Sequence, residues 1–515
     1  MSQTGAALLR GGIGRSLSMA VSMATMLALV PTMVNLLGDR LYGAWLLVGT
    51  ILGAYGLLDL GLSSAVNRFV AGALGRGDRD DADRYITTAV YLFSVGGAAA
   101  GLATIGVALA SHRFVEGTPE EAVLFRNVIL VTGLTFALAF PSRGYVGVLE
   151  AHLRHDLISV LETSLSILRV VLFLAVLYGG GRLMSLAVAA GLLLLLRAVA
   201  TVRLAHRVHG PTRLGRDFFS RTRVRSLFGY SLITFVAQLA DLLRTRIFAF
   251  ILPKYLGLAA VTPYGIAQQL VGAANYLAGA ILATTAPVFS RQQARDDQAA
   301  IRWSYFFNYK LACYLAVYLS GMIAVFGRPF ILRWVGAEQH PAISICQVLV
   351  VASLFGIMQI PTIHYMYGTS RHHFFAGANI AEGGINLILS LVLVGPYGPV
   401  GMAAGTACAA GLNNLVLLPL TAGWSLGISL WRYHLLHTLP NVLRPGLFIA
   451  VLHFAASPFL APDYLRLTVV GGVASLLFVP YIFFVGFSRR ERNLLLDSIR
   501  KIRGERKSAA GDSHP

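Results

Sequence analysis

Charge is scarce in this chain. Only 13% of its 515 residues are Asp, Glu, Lys or Arg, about half of the ~25% usual in soluble domains. Cysteine is scarcer still: Cys313, Cys346 and Cys408 lie far apart in apolar runs. No CxxC pair exists, which argues against a zinc or thiol-redox motif. Long polar stretches are missing too; the longest, Arg203 to Arg225, is too short for a catalytic domain. There is no Walker lysine motif and no HExxH, and the 13 histidines do not cluster as ligands. Gly423-Trp424-Ser425-Leu426-Gly427 matches GxSxG but ends an apolar helix, whereas a nucleophile elbow joins a strand to a helix. Asp78-Arg79-Asp80 matches the DxD of nucleotide-sugar transferases, yet it follows a tight Gly75-Arg76-Gly77 loop, where a helix cap explains it. These absences point away from an enzyme.

What is abundant is apolar sequence. Hydrophobic residues make up 56% of the chain and the mean hydropathy is +0.67. A spanning helix needs about 20 mostly apolar residues. By that measure the chain holds about 14 spans, near 13–37, 42–73, 84–110, 121–149, 156–178, 183–206, 225–252, 258–289, 303–327, 342–369, 374–394, 400–424, 437–460 and 465–487. The fold class is therefore all-α integral membrane. The apolar run from Ile13 continues past Leu37 and is too long for a cleavable signal.

The charges are unevenly placed. The balance is +19, from 42 basic and 23 acidic residues. With the N-terminus in the cytosol, the inside loops collect Arg76, Arg79, Arg207, Arg213, Arg221, Arg223, Arg291 and Arg302, and the tail adds Arg489, Arg490 and Arg492. The outside loops keep few. This satisfies the positive-inside rule with both termini cytoplasmic. The basic excess suits anionic membrane lipids and not nucleic acid. Leu494, Leu495, Ile499 and Ile502 recur at helical spacing in the tail, which predicts an amphipathic helix on the inner leaflet. Thr118-Pro119-Glu120-Glu121 reads as a helix start.

The chain repeats itself. Pro141, Tyr145 and Glu162 recur 220 positions on as Pro361, Tyr365 and Glu382. Six spans separate the copies, so both halves have the same topology, as in parallel-repeat transporters. The expected layout is two pseudo-symmetric six-helix lobes plus two C-terminal helices. The N-lobe covers 1–210, a basic cytosolic linker 211–225, the C-lobe 226–427, the last two spans 428–487, and a basic tail 488–515. Pro31, Pro141, Pro287 and Pro361 interrupt spans, either as hinges or as static bends. Gly97–Gly101 and Gly401–Gly405 match GxxxG and read as close packing within the chain.

Four acids fall well within spans: Asp59, Glu162, Asp241 and Glu382. Each costs roughly 2.5–3.5 kcal/mol at the bilayer centre, so each should face a cavity or a partner. Ser159, Glu162, Ser166 and Arg169 share one helical face. Its counterpart in the second half is Asn379, Glu382 and Asn386. A transport role and a structural seam both fit these faces. Asp241 and Arg244 are i, i+3 neighbours that can pair. Arg68, Arg143, Arg169, Arg244 and Arg246 form an anion site suited to pyrophosphate if they share a cavity, with Gln268 and Asn275 as polar lining. The alternative for such arginines is snorkelling to the inner surface.

The first two spans resemble a known family. Leu36-Leu37-Gly38-Asp39-Arg40-Leu41-Tyr42-Gly43-Ala44-Trp45, then Leu57-Leu58-Asp59-Leu60-Gly61-Leu62, Asn67-Arg68-Phe69-Val70 and Gly75-Arg76-Gly77-Asp78 are similar to the polysaccharide transporters of the multidrug/oligosaccharidyl-lipid/polysaccharide exporter superfamily. The resemblance implies a flippase for undecaprenyl-pyrophosphate-linked oligosaccharides in the bacterial inner membrane. Such a flippase would serve O-antigen or exopolysaccharide synthesis, with a polysaccharide polymerase complex as its expected partner. It implies alternating access coupled to H+ or Na+ and no cofactor. Asp59, Glu162, Asp241, Asn379, Glu382 and Asn386 would be the coupling groups, with Asp241, Asn379, Glu382 and Thr406 as the sodium ligands by analogy of helices. The alternative is a drug or small-cation exporter of the same superfamily, whose cavity would be acidic or apolar.

Overall fold

The computed structural model describes residues 3–111, 118–283, 285–493 and 496; for residues 3–20, 22, 216, 229–234, 236, 237 and 372 it describes the backbone only. Leu494, Leu495, Ile499 and Ile502 lie outside the described residues. Every described element is helical. In chain order these are α1 (Gln3–Tyr55), α2 (Leu62–Gly75), α3 (Arg79–Leu109), α4 (Pro119–Ala139), α5 (Arg143–Ala151), α6 (His155–Tyr178), α7 (Leu183–His209), α8 (Arg221–Thr245), α9 (Phe248–Leu256) and α10 (Val261–Leu282). There follow α11 (Thr285–Ala294), α12 (Gln298–Trp334), α13 (His340–Met358), α14 (Ile360–Gly368), α15 (His372–Leu412), α16 (Leu418–Leu426), α17 (Leu430–Tyr433), α18 (Leu439–Ala456) and α19 (Tyr464–Tyr481).

Eleven helical runs among the described residues are long and apolar enough to cross a bilayer. Two of them, Met23–Gly75 and His373–Leu426, hold 53 and 54 residues. Straight, each would be about 80 Å long, against a hydrocarbon core of ~30 Å. Glycine breaks both. Gly38 sits at φ 75° and Gly398 at φ 59°, a region open to glycine without steric cost. With each run counted as two spans and α8 added, the fourteen expected spans are present. α8 is less apolar because its first turns carry Arg221, Arg223 and Arg225.

Gly398 makes a hairpin inside α15. A side chain at Gly401 would meet the Leu393 carbonyl, and one at Gly405 would meet the backbone at Leu389 and Ser390. Positions before and after residue 398 thus pack antiparallel, with no room for a Cβ. The other GxxxG pair works alike: a Cβ at Gly97 would press on the Ala137 carbonyl, so α3 lies close on α4.

The repeated prolines open new helical pieces. Pro141 starts the 3-10 turn Phe140–Ser142 between α4 and α5, and Pro361 lies in the first turn of α14. Each proline stands in the first turn of its piece, where a missing N–H costs least. Tyr145 and Tyr365 follow four residues later, both buried. At α4 the expected start is observed: Thr118 accepts from the Glu121 N–H and Glu121 accepts from the Thr118 N–H.

The chain divides into two compact units. The first is residues 1–273, 338–349 and 373–413; the second is 274–337, 350–372 and 414–515. The first unit has an apolar core around Val66, Phe93, Phe140 and Tyr145, and another around Leu47, Phe125 and Ile129. The second packs Tyr305, Tyr309 and Tyr433 into a buried aromatic group, with Tyr305 and Tyr433 hydroxyls 2.9 Å apart. Its last two spans leave Leu443, Leu447, Phe454, Val469 and Leu476 on the surface, the pattern of helices facing lipid.

Candidate functional site

Two polar clusters form within the first unit. The first lies where α1 gives way to α2. Asp59 ends the 3-10 turn Gly56–Asp59, and Leu60 and Gly61 both adopt left-handed backbone before α2 begins. This break turns the Asp59 carboxylate onto the start of α2. It accepts from the Ser63 N–H at 3.1 Å and the Ser63 hydroxyl at 2.7 Å. Arg143, at the head of α5, donates to it at 3.2 Å, and the guanidinium lies over the Phe140 ring at 5.3 Å. Burying Asp59 is tolerable because both its oxygens are bonded.

A cavity of about 160 Å³ opens beside this pair, with Asp59, Ser142, Arg143, Arg197 and Thr201 in its wall. Arg197 comes from α7 and donates to Glu162 of α6 at 2.8 Å. Arg169, two turns along α6, lies within electrostatic range of Glu162 and Arg197. Three arginines therefore face two carboxylates, a local excess of positive charge. Arg143 remains 37% exposed and Arg197 44% exposed, so both can still reach a ligand.

The second cluster is built on the α15 hairpin. Glu382, 2% exposed, accepts a hydrogen bond from the Asn413 amide across the hairpin. The Asn413 Oδ1 is buried and has no hydrogen-bond partner among the described residues. One turn on from Glu382, the Asn386 Oδ1 accepts from Thr406 at 3.0 Å and from Ser390 at 3.1 Å. The Asn386 amide donates to the Arg244 carbonyl at 3.1 Å. That contact brings the end of α8 against the hairpin, where Gly383 leaves space for Leu243. The Tyr264 and Thr406 hydroxyls are 3.3 Å apart. Arg244 bonds Asp241 at 2.9 Å as an i, i+3 pair, and both lie within electrostatic range of Glu382. Asn379 is buried one turn before Glu382.

The remaining expected residues are elsewhere. Arg68 is on an exposed face of α2, and Arg246 is exposed at the end of α8. Gln268 is half-buried on α10 in the first unit. Asn275 belongs to the second unit, where it accepts from Ser353 at 2.9 Å. Glu162 and Glu382, equivalent by repeat, differ in setting: Glu162 is 36% exposed and bound by an arginine, whereas Glu382 is buried and bound by an amide. Arg197 and Asn413 were the residues missed from sequence. Arg197 interrupts the run Leu192–Leu196, a signal that was available; Asn413 stands 31 positions after Glu382, and only the hairpin makes them neighbours.

A third polar group ties loops together at one end of the first unit. His209 hydrogen-bonds Asp83 at 3.0 Å, both buried, and His152 at 3.0 Å. Burial, then the neighbouring His209 and Arg79, hold the His152 imidazole below its usual range. Beyond α7 the connecting segment is stitched to α3. Thr87 donates to the Arg213 carbonyl at 3.0 Å and Arg223 bonds Asp81 at 2.6 Å. Asp78, the first member of the DxD match, accepts from the Asp81 N–H and caps α3.

A family profile described as Polysaccharide biosynthesis protein matches residues 70–344, just over half of the chain. The chain belongs to this family. Among curated proteins it is 21% identical over 488 residues to the uncharacterized membrane protein EpsK of Bacillus subtilis (strain 168), covering 92% of this chain and 95% of EpsK. Among solved structures it is similar to the lipid II flippase MurJ in an inward closed conformation, with a TM-score of 0.71, 12% identity and coverage of 92% of this chain and 98% of that one. It is likewise similar to a multidrug resistance MATE family transporter of the MOP superfamily in its inward-facing conformation, with a TM-score of 0.70, 14% identity and coverage of 79% and 94%. This member of the polysaccharide biosynthesis family thus has the multi-pass helical fold of MOP superfamily transporters.

Proposed function

We propose that this protein is a flippase that moves undecaprenyl-pyrophosphate-linked oligosaccharide repeat units across the bacterial inner membrane. Transport is by alternating access, coupled to H+ or Na+, with both termini cytoplasmic and delivery to a polysaccharide polymerase complex. The observation that carries this reading is the presence, in one unit, of an arginine-walled cavity and a separate buried carboxylate. Guanidinium binds phosphate oxygens bidentately. Asp59 and Glu162 hold Arg143 and Arg197 oriented before a substrate arrives, and pyrophosphate oxygens would take the carboxylates' place. Arg169, within electrostatic range of Glu162 and Arg197, is the further candidate for that anion; Arg68, Arg244 and Arg246 lie outside this cavity and would meet the substrate only at another stage of its passage.

Glu382 is the candidate for coupling. The unpartnered Asn413 oxygen beside it is a buried acceptor awaiting a donor or a cation. A proton on Glu382, or a sodium ion held by both oxygens, would satisfy it, with Asp241, Asn379, Asn386 and Thr406 as supporting oxygen groups. The MATE and MurJ likenesses support the transporter fold equally. Arginine in the cavity wall favours an anionic, lipid-linked substrate over a cationic drug.

The test is to delete the gene and analyse lipid-linked intermediates together with surface polysaccharide. Lost polymer with repeat units trapped on the cytosolic leaflet is the expected result. Intact polymer with no trapped intermediate would overturn it.

A further inference from the structure

The second unit holds a larger cavity, about 570 Å³, which transport as proposed does not use. It forms where the first turns of α12, the first turns of α18 and the segment after α19 converge. On α12, Arg302, Phe306 and Lys310 recur every four residues and share one face. Opposite them stand His437, Asn441 and Arg444. The His437 ring stacks on Phe306 with centroids 3.7 Å apart. Lys310 is bound by Glu491 at 2.9 Å. Arg302 and Arg444 are exposed, and neither forms an ion pair among the described residues. Three cations thus meet one carboxylate.

The backbone is unusual on two sides of this cavity. His434–Thr438 and Ile482–Gly486 are π-helical turns, a form that often marks functional positions. The second turn lends its Gly486 carbonyl to the Tyr314 hydroxyl at 2.9 Å, and the same hydroxyl reaches Asn441 at 3.3 Å. These bonds hold Asn441 in place in a wall that mixes cations with aromatic and aliphatic side chains.

The mouth is apolar. Trp303, 46% exposed beside Arg302, and Leu436, in the π-helical turn before α18, line it; Leu443 and Leu447, in the first turns of α18, are exposed as well. An indole next to cations at a helix end fits the membrane–water boundary. The geometry points to a binding site for the phosphate headgroup of an anionic membrane lipid. Arg302, Lys310 and Arg444 hold the phosphate, and an acyl chain lies along Leu443 and Leu447. A free phosphate would use the cations but not these leucines, so the lipid is the occupant that explains both.

The purified full chain in detergent is titrated with phosphatidylglycerol, phosphatidylcholine or inorganic phosphate. Thermal midpoint and lipid retained in native mass spectrometry are the readouts. Phosphatidylglycerol raises the midpoint and stays bound; the other two do not. The double variant Arg302→Gln with Arg444→Gln weakens phosphatidylglycerol binding by about tenfold or more. Arg432→Gln, at an exposed arginine outside the cavity, leaves binding unchanged. If the double variant does not fold, Arg302→Gln alone carries the test, since its side chain is exposed and makes no ion pair among the described residues; a measurable loss of binding is then required. Undiminished binding in whichever of these two variants is read overturns the site. Equal stabilisation by phosphatidylcholine overturns the headgroup, and an equal response to inorganic phosphate overturns the lipid in favour of a free anion.

Discussion

Thr406 donates to the Asn386 Oδ1 at 3.0 Å across the turn at Gly398. This bond and the Asn413–Glu382 bond join the two arms of one helical hairpin, and the glycines Gly401 and Gly405 let the arms approach. The polar cluster therefore depends on a packing seam made almost wholly of main chain.

Gly401→Ala should disturb that seam, because the added methyl would overlap the Leu393 carbonyl. The cost expected for an overpacked contact is about 1–3 kcal/mol. Gly384→Ala, with open space at its Cβ, is the control. Thermal unfolding in detergent compares them, and equal midpoints would refute the tight hairpin.

Glu382→Gln keeps an acceptor for the Asn413 amide while removing the charge. The variant should remain folded yet lose polymer output when it replaces the wild-type gene. Normal output would remove Glu382 from the coupling step. Asn413→Ala leaves the buried Glu382 without its hydrogen-bond donor, and should lower stability by about 1–3 kcal/mol.

Arg143→Gln and Arg197→Gln address the cavity. The Arg197–Glu162 pair is exposed on both sides and adds little to stability, under about 1 kcal/mol, and Asp59 keeps its two Ser63 hydrogen bonds when Arg143 is replaced. Transport should suffer far more than folding, with at least a tenfold loss of lipid-linked substrate translocation in the double variant. Unchanged translocation in a reconstituted assay would place the pyrophosphate elsewhere.

His152 gives a pH dependence. Its imidazole is held below the usual 6.5 by burial and by His209 and Arg79, so the fold favours the neutral ring. The unfolded chain then binds the proton more readily, and stability is complete above about pH 6.5 and declines as pH falls below it. Unfolding midpoints measured from about pH 7.5 down to about pH 5.5 should show the decline, and His152→Gln should flatten it. A slope identical in wild type and variant would exclude this group.

Much of this architecture is written in local sequence. Apolar runs set the spans, Pro141 and Pro361 set the breaks, and Thr118 with Glu121 sets a helix start, because each acts on its near neighbours along the chain. The partners of the buried acids are harder to read. Asp241 finds Arg244 one turn away, so spacing predicts it. Glu162 finds Arg197 on another helix and Glu382 finds Asn413 across a turn, and no periodicity encodes either meeting. The repeat is an imperfect guide for the same reason. Equivalent positions share a helix face, but their surroundings come from different neighbours, and one carboxylate is partly exposed while the other is buried.

The turn at Gly398 has no slack. Residues 372–397 and 399–412 are joined by a single reversing residue and pinned by Asn386–Thr406 and Glu382–Asn413, so neither arm can slide along the other. The first arm is about 40 Å long. Any motion of the Glu382 carboxylate relative to the rest of the first unit would therefore be shared by both arms, which the two bonds couple into one body.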